Sequence, residues 1–181
     1  MNIFILCTGR CGSTTIVKAC EHITNYSSGH ETLSRKIGNK RFNYPKNHIE
    51  ADNRLSWFLG ELDSKYGDSA FYIHLIRNKK ATVESFNKRW LGKISVIKAF
   101  CEGLLMKPVE RLSEEEKLAV CEYYYDTVNS NIENFLRNKS KTLLINLETI
   151  SESFKDLWQE IGAEGDLNKA LDELKITHNH S

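Results

Sequence analysis

Three short apolar runs dominate the hydrophobic pattern of the chain: Ile3 to Cys7, Ala70 to Ile76 and Thr142 to Leu147. Each is near-continuous instead of alternating, the pattern of strands buried on both faces of a parallel sheet. Between them apolar residues recur every three or four positions, the helical period. Ile16, Val17 and Cys20 mark the inner face of a helix over about Ser13 to Ile23. Leu55, Phe58, Leu59 and Leu62 do the same for Asp52 to Lys65, where Asp52 can cap the start. Asn78 can cap a helix to about Trp90, and another covers Ser95 to Met106 before Pro108. Ser113 to Glu116 has the form of a capping box, opening a long helix to about Arg137 with Val120, Tyr124, Val128 and Ile132 in its buried stripe. Ser151 opens an amphipathic helix that stops at Gly162, and a last helix spans about Leu167 to Leu174.

Two stretches are less regular. Thr24 to Glu31 reads as a short extended segment with a turn at Ser28-Gly29. Ser34 to Asn53 is polar, basic and irregular, so a long loop is expected, either lying over an anionic ligand or solvated. Strands alternating with helices predict an α/β fold: three layers, α/β/α, with a central parallel sheet. Ligands in such folds bind beyond the carboxyl ends of the strands. Thr8, Arg77 and Glu148 fall just past the ends of the three strongest strands and are expected at one edge.

Length and charge narrow the picture. The 181 residues suit a single domain over 1–181. With 25 basic and 24 acidic side chains the net charge is +1, so bulk charge calls for neither nucleic acid nor a membrane surface. The N-terminal apolar run is too short to span a bilayer and lacks a cleavage-site pattern, which predicts a soluble, cytoplasmic chain. Five cysteines, an odd number with no C-x-x-C, fit reduced thiols. Cys11, beside Arg10 and a helix N-terminus, is the one to examine for a lowered pKa. His74 lies within a strand and reads as a core histidine, and the tail histidines His178 and His180 lack the companions of a metal site. No metal is expected.

The chemistry concentrates in two motifs. The first is the junction Cys7-Thr-Gly-Arg-Cys-Gly-Ser-Thr-Thr15, a strand, a glycine loop and a helix start. This arrangement turns backbone N–H groups toward an anion, and Gly9 and Gly12 let it approach closely. Arg10 adds a positive charge; Ser13, Thr14 and Thr15 add hydroxyls. The nucleotide triphosphatase pattern G-x-x-x-x-G-K-[ST] fails, and so does the dinucleotide pattern G-x-G-x-x-G. The loop instead resembles the 5′-phosphosulfate loop of the sulfotransferases, which use 3′-phosphoadenosine 5′-phosphosulfate (PAPS). The second motif is His74-Leu-Ile-Arg77-Asn78 with Ser85 eight residues after Arg77. Thr82, Ser85 and Arg89 share a helix face, so a hydroxyl and two cations can aim at one anion. This segment resembles the 3′-phosphate motif of the same family. Leu143-Leu-Ile-Asn-Leu-Glu148 is similar to the strand and acidic residue that follow the long helices in many family members, and His48 to Leu62 and Arg89 to Met106 look like segments of its small bacterial-type members.

The resemblance implies a P-loop-like fold and a PAPS-dependent sulfotransferase acting on a hydroxyl or amine of a small-molecule, lipid or carbohydrate acceptor. It implies that Gly9, Arg10, Cys11, Gly12, Ser13, Thr14, Thr15, Arg77 and Ser85 hold PAPS, and that Arg10 also serves catalysis. Several members place a catalytic Glu at the end of the second extended segment, which makes Glu31 the first choice of general base and His48 the runner-up. His30 is expected to point away from Glu31 if the segment is extended. A P-loop kinase of a small molecule and a non-catalytic nucleotide-binding module are the alternatives; a redox protein built on Cys11 is a distant third.

Overall fold

The structure, a computed structural model, describes residues 1–92 and 94–176. The tail with His178 and His180 lies outside the described residues. Five strands, β1 (Ile3–Leu6), β2 (Ser27–His30), β3 (His48–Ala51), β4 (Phe71–Ile76) and β5 (Thr142–Asn146), pair in parallel in the order β2-β3-β1-β4-β5. The helices are α1 (Ser13–Cys20), α2 (Leu59–Tyr66), α3 (Lys79–Asn87), α4 (Val96–Ala99), α5 (Glu114–Leu136), α6 (Ile150–Glu160) and α7 (Leu167–Glu173).

Alternation along the strands divides the core. Ile3, Ile5, Ile49, Ile73 and Leu75 pack on one face with α1, α6 and α7. Phe4, Leu6 and Tyr72 pack on the other with α2, α3, α4 and α5. β1 is central, and all four of its residues are fully buried. This is the three-layer α/β fold with a parallel sheet that the periodicity predicts. The Ser113/Glu116 capping box forms, and Asn78 accepts from the Ala81 amide at 3.1 Å. His74 is a core residue, its Nε2 2.9 Å from Asn129 Oδ1, and burial lowers its pKa. Among the described residues no helix is long and apolar enough to cross a membrane.

The main departure is β3. The stretch Ser34 to Asn53, expected as a loop, contributes a fully inserted strand between β2 and β1. Its polar residues hide it because they satisfy one another. His48 Nε2 lies 2.9 Å from Glu50 Oε2, and the Glu50 carboxylate accepts from the Thr32 amide and hydroxyl at 2.7 and 2.6 Å. Ser28-Gly29 lies inside β2 instead of forming a turn. The helix expected from Asp52 begins as a 3-10 turn, Asn53–Trp57, and restarts as α2 after Phe58. The helix expected over Ser95 to Met106 is α4 followed by a π turn, Phe100–Leu104.

Candidate functional site

The site lies beyond the carboxyl ends of the strands. After β1 the chain passes through Gly9 (φ +83°), Arg10 (φ +58°) and Gly12 (φ +86°), all in the left-handed region, before α1 begins. Gly12 is required twice, for its φ and because a Cβ there would overlap Leu147 Cδ1. Arg10 has a side chain in this conformation, which costs about 1–2 kcal/mol. The loop is held from below: Tyr124 donates its hydroxyl to the Thr8 carbonyl at 2.8 Å, and Ser56 donates to the Cys7 carbonyl at 3.1 Å.

The loop gathers the second motif around itself. Arg10 Nε donates to Ser85 Oγ at 2.9 Å, and Arg77 Nη1 donates to the Arg10 carbonyl at 3.0 Å. Burial holds the Arg10 guanidinium below its ordinary pKa, reinforced by the positive charges of Arg89 and Arg77. Among the described residues neither Arg77 nor Arg89 has a carboxylate within 4.0 Å. Three arginines are thus assembled where their mutual repulsion is uncompensated by ion pairs to Arg77 and Arg89, an arrangement suited to a multiply charged anion. Glu148, past β5, faces the same edge and accepts from the Asn78 amide at 2.9 Å.

A cleft of about 250 Å³ opens over the loop, lined by Gly9, Arg10, Ser13 and Thr14 together with Arg54 and Arg89. His30 and Glu31 form part of the same lining. Glu31 has φ +54° and donates its amide to the Ala51 carbonyl at 2.9 Å. Its carboxylate meets Arg54 Nη1 at 2.7 Å, both side chains being about one-third exposed. Behind Arg54 lies Asp52, fully buried, which accepts from the Arg54 amide at 2.8 Å and pairs with Arg41 at 3.1 Å. Burial raises the Asp52 pKa, an effect the Arg54 amide and the Arg41 charge oppose.

The expectation for His30 is overturned. His30 and Glu31 both reach the cleft, because the left-handed turn at Glu31 ends the strand alternation. His30 Nε2 sits 3.0 Å from Ser13 Oγ. His48 is not brought to the cleft. It is 5% exposed inside the sheet, with Nδ1 2.8 Å from Ser27 Oγ and Nε2 on Glu50. Thr15 and Cys11 are buried, so only their backbones belong to the loop. The Cys11 thiol is drawn below its ordinary pKa by a hydrogen bond from Cys7 and by amides of the loop, while Cys7 is pushed up by that same neighbour and by burial. Arg54 went unnoticed in the sequence as a site residue. No local pattern signals it, because only the pairing of β3 with β2 brings Arg54 to Glu31.

Fold and site together define an α/β protein with a P-loop-like glycine loop at the carboxyl edge of a parallel sheet. No protein-family model and no curated protein sequence matches the chain. By structure it is similar to the mouse sulfotransferase SULT7A1 complexed with PAP, with a TM-score of 0.60 and 14% sequence identity. The match covers 96% of this chain and 63% of that one, so the chain spans less than two-thirds of the length of the mouse structure. The likeness is one of fold: the chain has a sulfotransferase-type architecture.

Proposed function

We propose that residues 1–181 form one PAPS-dependent sulfotransferase domain, working in the cytoplasm on a hydroxyl or amine acceptor. The observation that carries this reading is the convergence of Arg10, Arg77, Ser85 and Arg89 on one glycine loop. PAPS carries two anionic centres, at the 5′ and 3′ positions, and the site has two kinds of cradle. The fold likeness to a sulfotransferase complexed with PAP supports it.

The residues fit the group. The left-handed residues Gly9, Arg10 and Gly12 curve the loop into the start of α1, where Ser13 and Thr14 sit at the cleft, a shape that would take a phosphosulfate. Arg77, Ser85 and Arg89 take the 3′-phosphate, with Cys11 and Thr15 contributing backbone only. When bound, PAPS supplies a sulfuryl group whose bond to the 5′-phosphate breaks as the acceptor oxygen bonds to sulfur, the phosphate leaving with the electron pair. Arg10 and the loop amides stabilise the negative charge that develops. Glu31 takes the acceptor's proton. Its partner Arg54 fixes the carboxylate in the cleft wall, and Asp52 and Arg41 fix Arg54.

Thermal unfolding with 3′-phosphoadenosine 5′-phosphate (PAP), ATP or AMP tests this. A ligand at a hundred times its dissociation constant adds about 2.7 kcal/mol. Stabilisation by PAP alone, lost in Arg77→Ala and weakened in Ser85→Ala, is expected. Equal stabilisation by ATP would favour a kinase instead.

A further inference from the structure

The most exposed large apolar side chains among the described residues are Ile37 (89%), Leu91 (100%), Ile94 (87%) and Met106 (85%). All four stand on loops around the mouth of the cleft. Ile94 borders the cleft and also a space edged by Arg35 and Lys36, the residues just before Ile37. Leu91 precedes Gly92 of the cleft lining, and Met106 lies two residues past Leu104, which shares a rim with Ile94 and Phe58. Single exposed apolar side chains are ordinary on a protein surface; their gathering at one rim is not. We infer that this rim is a membrane-docking surface, whose apolar tips enter an anionic bilayer while the cations around them meet the lipid headgroups. Docking needs neither PAPS nor transfer, so it stands apart from the activity proposed above.

The tips are held outward by buried anchors. Trp90, 6% exposed, donates its Nε1–H to Asn87 Oδ1 at 2.9 Å, and the Gly92 amide closes the turn on the Arg89 carbonyl at 3.3 Å, with Leu91 inside that turn. The loop that carries Met106 is tied twice to Cys101. The Lys107 amide donates to the Cys101 carbonyl at 3.1 Å, and Cys101 Sγ donates to the Lys107 carbonyl at 3.2 Å. Met106 itself is left-handed, at φ +55°, so its backbone and its solvated side chain both carry a cost in water. The buried Arg41 and Phe42 anchor the 3-10 turn that follows Ile37.

The net charge of +1 conceals a segregation. Residues 35–41 and 88–107 hold nine basic side chains and one acidic one, Glu102; the rest of the chain holds 16 basic and 23 acidic. Arg41 is spent on Asp52, and Lys98 faces Glu102 at 3.7 Å. Arg35, Lys36, Lys40, Lys88 and Lys107 are exposed, and among the described residues none has a carboxylate within 4.0 Å. Lysine around apolar tips suits a lipid headgroup layer, whereas the core of a protein interface is depleted in lysine. The tips also sit on three separate loops. A protein partner would need a fitted pocket for each, which a fluid bilayer does not.

Co-sedimentation of the whole chain with vesicles tests this, phosphatidylcholine alone against phosphatidylcholine mixed with phosphatidylserine. Binding to the mixed vesicles about tenfold tighter or more, and weakened by added salt, is expected. Ile37→Ser, Leu91→Ser and Met106→Ser together remove apolar tips; Lys36→Gln, Lys40→Gln and Lys107→Gln remove cations. None of the six lines the cleft. Each set should weaken binding about tenfold or more. The urea midpoint should hardly move, because all six side chains are exposed. Leu91→Ser alone, at a fully exposed side chain, decides the matter if the combined set lowers that midpoint. The inference is overturned if neither vesicle binds, if the two bind alike, or if either set leaves binding untouched. It is overturned too if the unaltered chain sediments as a dimer that the serine set separates, since the tips then belong to a second copy.

Discussion

Gly12→Ala puts the geometry of the anion loop to its sharpest test. The residue sits at φ +86°, and a Cβ there would overlap Leu147 Cδ1 and lie 3.2 Å from Cδ2. The left-handed backbone costs an alanine about 1–2 kcal/mol relative to glycine. Forcing Leu147 aside adds an overpacking cost of roughly 1–3 kcal/mol. The stiffer unfolded chain returns about half a kcal/mol or more. A net loss of about 2–4 kcal/mol is expected. Gly38→Ala is the control, since Gly38 has φ +59° but a Cβ there meets nothing within 4 Å. It should lose only the backbone part, about 1 kcal/mol. Urea unfolding reads the difference as a midpoint gap of about 1 M between the variants, for a slope near 2 kcal/mol per M. Adding Leu147→Ala to Gly12→Ala should close part of that gap. Equal midpoints for the two glycine variants would refute the claim that close packing against Leu147 shapes the loop.

Other substitutions reach the rest of the site. Glu31→Gln should leave PAP stabilisation intact while transfer to an acceptor falls by 10²-fold or more, read by sulfate transfer from PAPS; its effect on stability should stay within about 1 kcal/mol, because the Arg54 pair is partly exposed. Asp52→Ala leaves Arg41 buried without its carboxylate and should cost about 3–5 kcal/mol in urea unfolding. His74 predicts a pH dependence. Its folded pKa lies below the ordinary 6.5, so its contribution is present above that value and lost as pH falls through the lowered folded value. Urea midpoints should decline with pH below about 6.5, with a slope reduced in His74→Gln, which keeps an amide donor for Asn129.

The strands and helices that were legible in the sequence are those where burial and period agree. β1, β4 and β5 read as apolar runs, and the caps at Asn78 and Ser113 read as local hydrogen bonds. β3 was not legible because burial there is polar. Its four residues are buried, yet His48 and Glu50 are the side chains that hydropathy assigns to solvent. Their pairing depends on Ser27 and Thr32, from β2 and the turn after it. The same limit explains the site. The contact of Arg10 with Ser85 spans 75 residues and follows from neighbouring strands; the sequence motifs put the two residues in separate cradles at one edge and gave no sign that they touch. The junction of Glu31 with Arg54 had no signal either, because it needs β3 to place residue 54 beside the end of β2. His30 was misdirected by strand alternation, which the left-handed residue at Glu31 interrupts.

The arginine cluster links the fold's stability to its ligand. Arg10 sits in a left-handed backbone, and its pKa is depressed first by burial and then by the charges of Arg89 and Arg77. Each of these features opposes folding, offset in part by the bonds of Arg10 to Ser85 and of Arg77 to the Arg10 carbonyl. They persist because the loop is held by Tyr124, Ser56 and the packing under Gly12. An anion in the cleft would relieve the repulsion, so its binding energy and the protein's gain in stability share one electrostatic source. Two consequences follow. PAP stabilisation should weaken as salt rises, since added ions screen the attraction at partly exposed arginines. Arg89→Gln should diminish PAP stabilisation while leaving the unliganded protein as stable or slightly more so, because it removes one member of a like-charged group. Thermal unfolding of Arg89→Gln at low and high salt, with and without PAP, separates these effects. A variant that is less stable without ligand would mean that Arg89 supports the fold and is not held there for an anion.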